Sequence, residues 1–575
     1  MLKSSIINSG SYQAYLRNSF KSYRALIFLI PLGLFLLLDL FQSEIAALIR
    51  SLYPLSADHG FAYYLDVVSL VSSEILWWAF FALLTCILVI YPSSGRFENV
   101  FKLGTKSCNS HLVILILFTF FVTTLYVSYN TLEYFPVSSN EYAYLFQAEM
   151  FSRGKYWEPA HDLPSFFYVH NLVQYDGILV SRFPPGWPLF LSVAFEIGIP
   201  PFIVNPVLGV FTLVVFYFFS RHIYGDRIAI WSLLALAFTG YYIFNSASFF
   251  SHVSCLLVTL LFVFTLSVYN KNGNRLFVLM AGFFLGLAFM IRHYTALWVF
   301  VPFFFYMIYQ YRLKSVHLFL LMAIGALPSF LFLLSYNYSI TGNRFLPVHF
   351  WAYSDEVLGF VNGHTLFNGI VHVIRWILLF FYWCSPGLFI LYVIYIYRKM
   401  KSGTERFLRP EEYIVLSLML GHFFYYDFGG SQYGPRFLFE GFPFLILFVI
   451  SRVFQAREKW AVALLIASLI YAVVKFPVIA DREGSIVDER KDLYDLVNEQ
   501  KIIDAVVLIS SPTSPTRPMA VGELTRNDAR FVNNVIYAIE LPEITGQLME
   551  YYSNRSFYKY VREPDKAHGE LVRIK

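Results

Sequence analysis

The chain has 575 residues, of which 57% are hydrophobic, 20% aromatic and only 14% charged. A soluble protein of this length does not carry such a composition; a polytopic membrane protein does. The net charge of +5 is modest, and the basic residues sit in short connections between apolar runs, a pattern of membrane orientation that excludes a nucleic-acid surface.

Spanning a hydrocarbon core of ~30 Å takes roughly 20 apolar residues. A polar and basic N-terminal stretch precedes the first apolar run with no small-residue cleavage site behind it, so that run is expected to be a retained span. Runs of this kind lie near 26–48, 64–92, 111–131, 202–222, 226–245, 248–269, 275–291, 293–311, 316–338, 368–397, 411–427, 434–453 and 458–477. They predict about thirteen transmembrane helices, with 275–291 and 411–427 the shortest.

Charge checks that count. With the N-terminus inside and sides alternating, the inner segments collect Lys3 to Arg24, Arg96 to Lys106, Arg221, Arg227, Lys271, Arg275, Arg312, Lys314, the basic cluster Arg398 to Arg409, Arg452, Arg457 and Lys459. The outer side holds Arg50, Arg153, Lys155, Arg182, Arg292, Arg344 and Arg436. The inner excess, about three to one, is what the positive-inside rule expects. The long connection 132–201 and the tail after 478 both fall on the outer face.

That connection carries acids, histidines and arginines, and is the place where chemistry is expected. Ser138-Ser139-Asn140-Glu141 fits a capping box, so Glu141 either closes a helix start or does chemistry there. Trp187 to Ile199, bounded by Pro184-Pro185 and Pro200-Pro201, is too short to cross and predicts a helix at the outer interface. In the tail, Ala505–Ser510, Val535–Ile539 and Ser556–Val561 predict strands and Leu541–Tyr552 a helix, a small α/β domain. The expected organisation is therefore 1–110, 111–478 and 479–575. Cys86, Cys108, Cys255 and Cys384 are scattered, with no disulfide framework or CxxC.

Arg292 closes the run that contains Gly282 and Gly286; it either snorkels to headgroups or faces a cavity. Arg436 and Glu440, four apart, are expected on one helical face, as an ion pair or facing an occupied cavity. His252 and His349 are single histidines of the hydrogen-bonded structural kind. His161-Asp162 with His170 matches no metal-ligand spacing. No phosphate-binding glycine loop or nucleophile elbow is present.

Asn140-Glu141 at a helix start in a large outer loop, followed by Pro184-Pro185-Gly186-Trp187-Pro188, resembles the membrane-embedded type C glycosyltransferases. The likeness is to the branch of protein O-mannosyltransferases and lipid A aminoarabinose transferases. Tyr224-Gly225-Asp226, Gly282/Gly286/Arg292 and Tyr433-Gly434-Pro435-Arg436 extend it over roughly 110–480. The resemblance implies an all-α polytopic fold in a bacterial inner membrane, to which the chain's own tail is expected to add the small α/β domain on the outer face. It implies transfer of a sugar from a polyprenyl phosphate to an acceptor hydroxyl on a lipid, polysaccharide or protein. It implies no cofactor beyond that lipid-linked donor, with a divalent metal left open.

One position departs from the pattern. Asn140 stands where the branch usually has aspartate, taken as the base, so Glu141 becomes the candidate base, with Asp162 or Asp176 behind it. A lipid phosphate leaves as an anion without a general acid; it needs positive charge and one carboxylate, where a glycosidase needs two. Arg436, Arg292 and Arg182 are the candidates for the phosphate, since a guanidinium grips it bidentately. Tyr433, Glu440, His293, His252 and Tyr142 are expected to line the pocket. The rival readings are a lipid or polysaccharide flippase, against which the absence of internal repeats counts, and a catalytically inactive relative.

Overall fold

The computed structural model describes residues 59–90, 110–352, 358–361, 364–402, 409–427, 429–430, 432–510, 523–562 and 568–575. The run 26–48, Cys108, Arg406 and the basic residues of 1–24 and 96–106 lie outside these.

Helices α1 (His59–Ile90) and α2 (Ser110–Tyr126) open the described chain. The long connection then folds as α3 (Ser139–Ser152), strands β1 (Glu158–Pro159), β2 (Leu172–Tyr175) and β3 (Ile178–Ser181), and α4 (Gly186–Ile197). The three strands form an antiparallel sheet of order β1-β3-β2. Helices α5 (Val204–Tyr224), α6 (Asp226–Ala237), α7 (Gly240–Ala247), α8 (His252–Asn272), α9 (Leu276–Ile291), α10 (His293–Tyr311) and α11 (Lys314–Thr341) follow. After the short α12 (Val348–Ala352) come α13 (Leu366–Trp383), α14 (Pro386–Ser402), α15 (Ile414–Phe423), α16 (Phe442–Ala456) and α17 (Lys459–Glu499). The tail adds β4 (Ala505–Ile509), β5 (Val535–Ile539), α18 (Thr545–Tyr551), β6 (Ser556–Val561) and β7 (Glu570–Arg573).

Among the described residues seven helices are long and apolar enough to cross a membrane, and the pair α6–α7, bent by 64°, makes an eighth if it is one span. The chain is a multi-pass membrane protein, but the thirteen expected spans are not all whole helices. Run 275–291 forms the 16-residue α9. Run 411–427 gives a 3₁₀ turn, Pro410–Tyr413, and the ten-residue α15. Run 368–397, expected as one span, is two helices, since α13 ends at Trp383 and Pro386 opens α14. Proline has no N–H to give and restricts the residue before it, so Cys384 and Ser385 leave the helix. Ser385 Oγ there accepts from Gly387 N at 3.1 Å.

The short α9 is held by close backbone approach. A Cβ on Gly282 would lie 2.0 Å from Met322 O, and one on Gly325 2.1 Å from Leu279 O, so α9 and α11 touch through reciprocal glycines. This fixes where Arg292 emerges.

Side chains join the same helix ends at each pole of the bundle. At one pole Tyr224 donates to Glu412 (3.3 Å), Arg452 stands 3.6 Å from that carboxylate, Arg398 pairs with Glu458 (2.9 Å), and Tyr311 donates to Asn270 (2.6 Å). Arg398, Lys399 and Arg452, all assigned to the inner side from the sequence, meet there. The connection 132–201 and the tail sheet lie at the other pole.

The tail sheet has order β5-β4-β6-β7, with β4 parallel to β5 and β6, and β7 antiparallel at the edge. Alternation along β4 splits its side chains between two faces. Ala505, Val507 and Ile509 pack on Leu493 and Val497 of α17, while Val506 and Leu508 meet α18 and Phe166 and Phe167 of the long connection. The expected strands are found, and the helix expected from Leu541 begins at Thr545. Helix α17 runs for 41 residues without a break, so the expected boundary 478/479 falls inside it.

Candidate active site

The site forms where α3, the α7–α8 break, the α9–α10 hairpin and the segment before α16 meet. Pro185 and Gly186 start α4, and a Cβ on Gly186 would lie 2.7 Å from Met290 C, so only glycine lets the connection press onto the turn before Arg292. Arg182, just after β3, is fixed by its own N–H to Asn171 O (3.1 Å).

The break 248–251 interrupts helical backbone inside the protein, where each freed polar group needs a partner. Asn205 donates to Ser248 O (2.6 Å) and Phe250 O (2.9 Å), and Trp187 Nε1 donates to Phe249 O (2.8 Å). Phe249 N donates to Glu141 Oε1 (3.1 Å). The same carboxylate closes the capping box, its Oε2 accepting from Ser138 N and Oγ (both 3.0 Å), with Gln432 Nε2 at 3.4 Å. Glu141 is fully buried. Burial pushes its carboxyl up, and the bonds from Phe249 and Ser138 act the other way. Asn140 Oδ1 accepts from Asn171 Nδ2 (2.7 Å).

The charges of all three expected arginines act on one group that the sequence did not single out, the Tyr144 hydroxyl, whose ring stands 4.6 Å from that of Phe183, the residue after Arg182. Burial pushes this phenol up, while the charges of Arg292, Arg436 and Arg182 pull it back. Tyr144 Oη and Ser251 Oγ share a hydrogen bond (3.1 Å), and Arg292 Nη1 donates to the same Ser251 Oγ (3.4 Å). Arg436 donates to Gly429 O (2.5 Å), its guanidinium carbon 4.6 Å from the centroid of Phe250. Asp427, also unmarked in the sequence, accepts from Gly429 N (3.0 Å), and its charge acts on Arg436.

Glu440 meets Arg292 Nε and His252 Nδ1, each at 3.4 Å, in place of the expected pairing with Arg436. Residues 436–441 form a 3₁₀ helix, in which positions three apart, not four, lie on one side. Of the other expected pocket residues, His252 joins the cluster. Tyr433, fully buried, packs among Phe244, Phe250 and Trp383 beneath it. His293 turns to Phe289 O of its own hairpin, and Tyr142 donates to Asn527 O of the tail. Asp162 accepts from Tyr551 of the tail (3.1 Å), and Asp176 occupies the β2–β3 turn with φ 50°. His161 shares a hydrogen bond with Tyr552 Oη (2.9 Å) and accepts from Leu163 N (2.9 Å).

The fold is that of the membrane-embedded type C glycosyltransferases, and the resemblance seen in the sequence is borne out. Residues 184–336 match the family model for dolichyl-phosphate-mannose-protein mannosyltransferase. ArnT from Cupriavidus metallidurans in the apo state superposes with a TM-score of 0.51 at 12% identity, covering 79% of this chain and 93% of that one. The same protein bound to undecaprenyl phosphate gives 0.50 at 11% identity with the same coverage. No curated protein matches the chain by sequence.

Proposed function

We propose that this protein transfers a sugar from a polyprenyl phosphate to an acceptor hydroxyl on the outer face of the membrane. The observation that carries the proposal is the geometry at the pole that bears the long connection. There Arg292 donates to the Ser251 hydroxyl that Tyr144 shares, Arg436 lies over the ring of the neighbouring Phe250, and Arg182 precedes Phe183, whose ring stands 4.6 Å from that of Tyr144. Three guanidiniums at a membrane boundary suit a lipid phosphate, and positive charge at the leaving oxygen is what this reaction needs. The solved ArnT complex, whose fold the chain shares, holds undecaprenyl phosphate.

In the proposed reaction the acceptor oxygen forms a bond to the anomeric carbon, and the bond from that carbon to the phosphate oxygen breaks. The electron pair leaves with the lipid phosphate, where the arginines stabilise it, and the hydroxyl proton passes to a carboxylate. Glu141 is the acid that the loop helix contributes. To take the proton it must yield one of its four hydrogen bonds, a step that its burial favours by making the protonated form easier to hold. Asp427 is the second candidate, because it is partly exposed where Glu141 is not. The proposed orientation puts the N-terminus inside, the tail outside and the chain in a bacterial inner membrane.

The test uses full-length protein in lipid nanodiscs with an undecaprenyl-phosphate-linked sugar. Release of undecaprenyl phosphate that depends on an acceptor supports the proposal. Tight binding of undecaprenyl phosphate without turnover over a panel of donors and acceptors identifies a catalytically inactive relative. Loss of neither binding nor turnover on replacing all three arginines by glutamine would sink the site assignment.

A further inference from the structure

Two arginines outside the phosphate cluster reach the site from the far end of the sequence. Arg526, buried in the tail, donates through Nη1 to Pro136 O (2.5 Å) and through Nε to Glu523 O (2.8 Å). Its guanidinium carbon stands 4.6 Å from the centroid of Phe135 and 5.5 Å from that of Tyr142. Arg490, near the end of α17, donates to the next carbonyl, Val137 O (2.6 Å), and pairs with Glu523 (2.9 Å). Two consecutive carbonyls immediately before the Ser138 cap are therefore each held by a guanidinium of the tail.

The segment they hold has a reason to need them. Helix α2 runs on as a π-helical turn, Val127–Thr131, and Glu133 and Tyr134 after it both have positive φ, 48° and 56°, so the segment that follows has no regular ladder to take its carbonyls. Beyond the cap the contacts continue without a gap. Ser138 binds Glu141, Glu141 binds Phe249 N, and the next residue, Phe250, presents the ring under Arg436.

We infer that Arg526 and Arg490 are positioning residues of the arginine site, by which the tail domain fixes the Ser138 cap and, through Glu141 and the Phe249 peptide, the surface on which Arg436 rests. The inference rests on the proposed phosphate site for its consequence in catalysis, and on geometry alone for its mechanical part. A site set on a floor of irregular backbone is only as well placed as the contacts that hold that floor.

The experiment takes full-length Arg526→Met, Arg490→Met and the double variant in nanodiscs, with Thr525→Val as a control. Thr525 Oγ1 donates to Tyr168 O (2.6 Å), so the control loosens the docked tail away from the cap. Hydrogen exchange at the Phe249 amide, measured without any lipid phosphate, is expected to rise in the arginine variants and stay at the parental rate in the control. Sugar transfer at saturating donor is expected to fall by roughly 10²-fold in the double variant, the scale of an ångström-level misplacement. Added guanidinium is expected to restore part of the rate to Arg526→Ala. Unchanged Phe249 exchange in folded arginine variants overturns the inference, as does a control that loses as much transfer as they do. If the double variant is not recovered, the single variants decide by the same measurements. Failure of the parent protein to bind undecaprenyl phosphate would remove the proposed function and leave the exchange result to decide the mechanical link by itself.

Discussion

The two poles of the bundle hold similar charges, and one cation at the loop pole, Arg436, is held differently from those at the other. Away from the loop, Lys399 and Glu412 are both buried and bonded directly, with Arg452 and Tyr224 on the same carboxylate. At the loop pole Arg292 likewise pairs with Glu440 (3.4 Å), whereas Arg436 rests on a carbonyl and an aromatic face. A cation fused to a carboxylate is neutralised and serves structure. A cation supported by a carbonyl and a π-face keeps its charge for an arriving anion. The contrast separates a closed ionic joint from an open one.

The largest expected effect tests the open joint. Arg436→Lys keeps the charge but loses the planar fork, and transfer from a polyprenyl-phosphate sugar is expected to fall about 10²-fold or more, while melting stays near parental. Near-normal turnover would make Arg436 a structural residue like those at the other pole. Lys399→Met should do the reverse. Leaving Glu412 buried with weaker partners costs about 3 kcal/mol, visible as a lowered melting temperature, with turnover per folded molecule unchanged.

Glu141→Gln lies between these. Both carboxylate oxygens accept from N–H donors, Ser138 N and Phe249 N, so a glutamine must turn its own NH₂ toward one of them. A loss of about 1–3 kcal/mol of stability is expected, together with lost transfer, and Asp427→Asn measured alongside shows which acid takes the proton. The smallest effect is at His161, whose Nδ1 accepts from Leu163 N and whose burial holds it below the ordinary histidine range. The folded state then favours the neutral ring, so its contribution is complete above the unfolded value of about 6.5 and is lost as pH falls through the lower folded one. Protease cutting within 161–170 should therefore increase on acidification in the parent and not in His161→Phe.

Much of this was legible from local sequence. Ser138 and Glu141 form the capping box that their spacing predicts, and the tail strands follow their β-branched runs. The three arginines were visible because charge is rare in so apolar a chain. What stayed hidden depends on geometry that spacing does not carry. Arg436 and Glu440 fit an α-helical pair, but the backbone there is 3₁₀. Run 368–397 reads as one span by hydropathy alone, though Ser385-Pro386-Gly387 marks its break. Tyr144 and Ser251 are 107 residues apart, and only folding makes them neighbours.

Helix α17 sets a dimension for the whole molecule. Its 41 residues, at 1.5 Å each, reach roughly 60 Å, about twice the hydrocarbon thickness. It starts at the pole of the closed ionic joint and ends beneath the tail sheet, so it acts as a mast of fixed height. Pro477 lies inside this continuous helix, and beyond it Arg490 and Tyr494 reach the loop and the tail. The rod thereby ties the closed ionic joint, where Glu458 at its start pairs with Arg398, to the loop carbonyl that Arg490 holds near its other end.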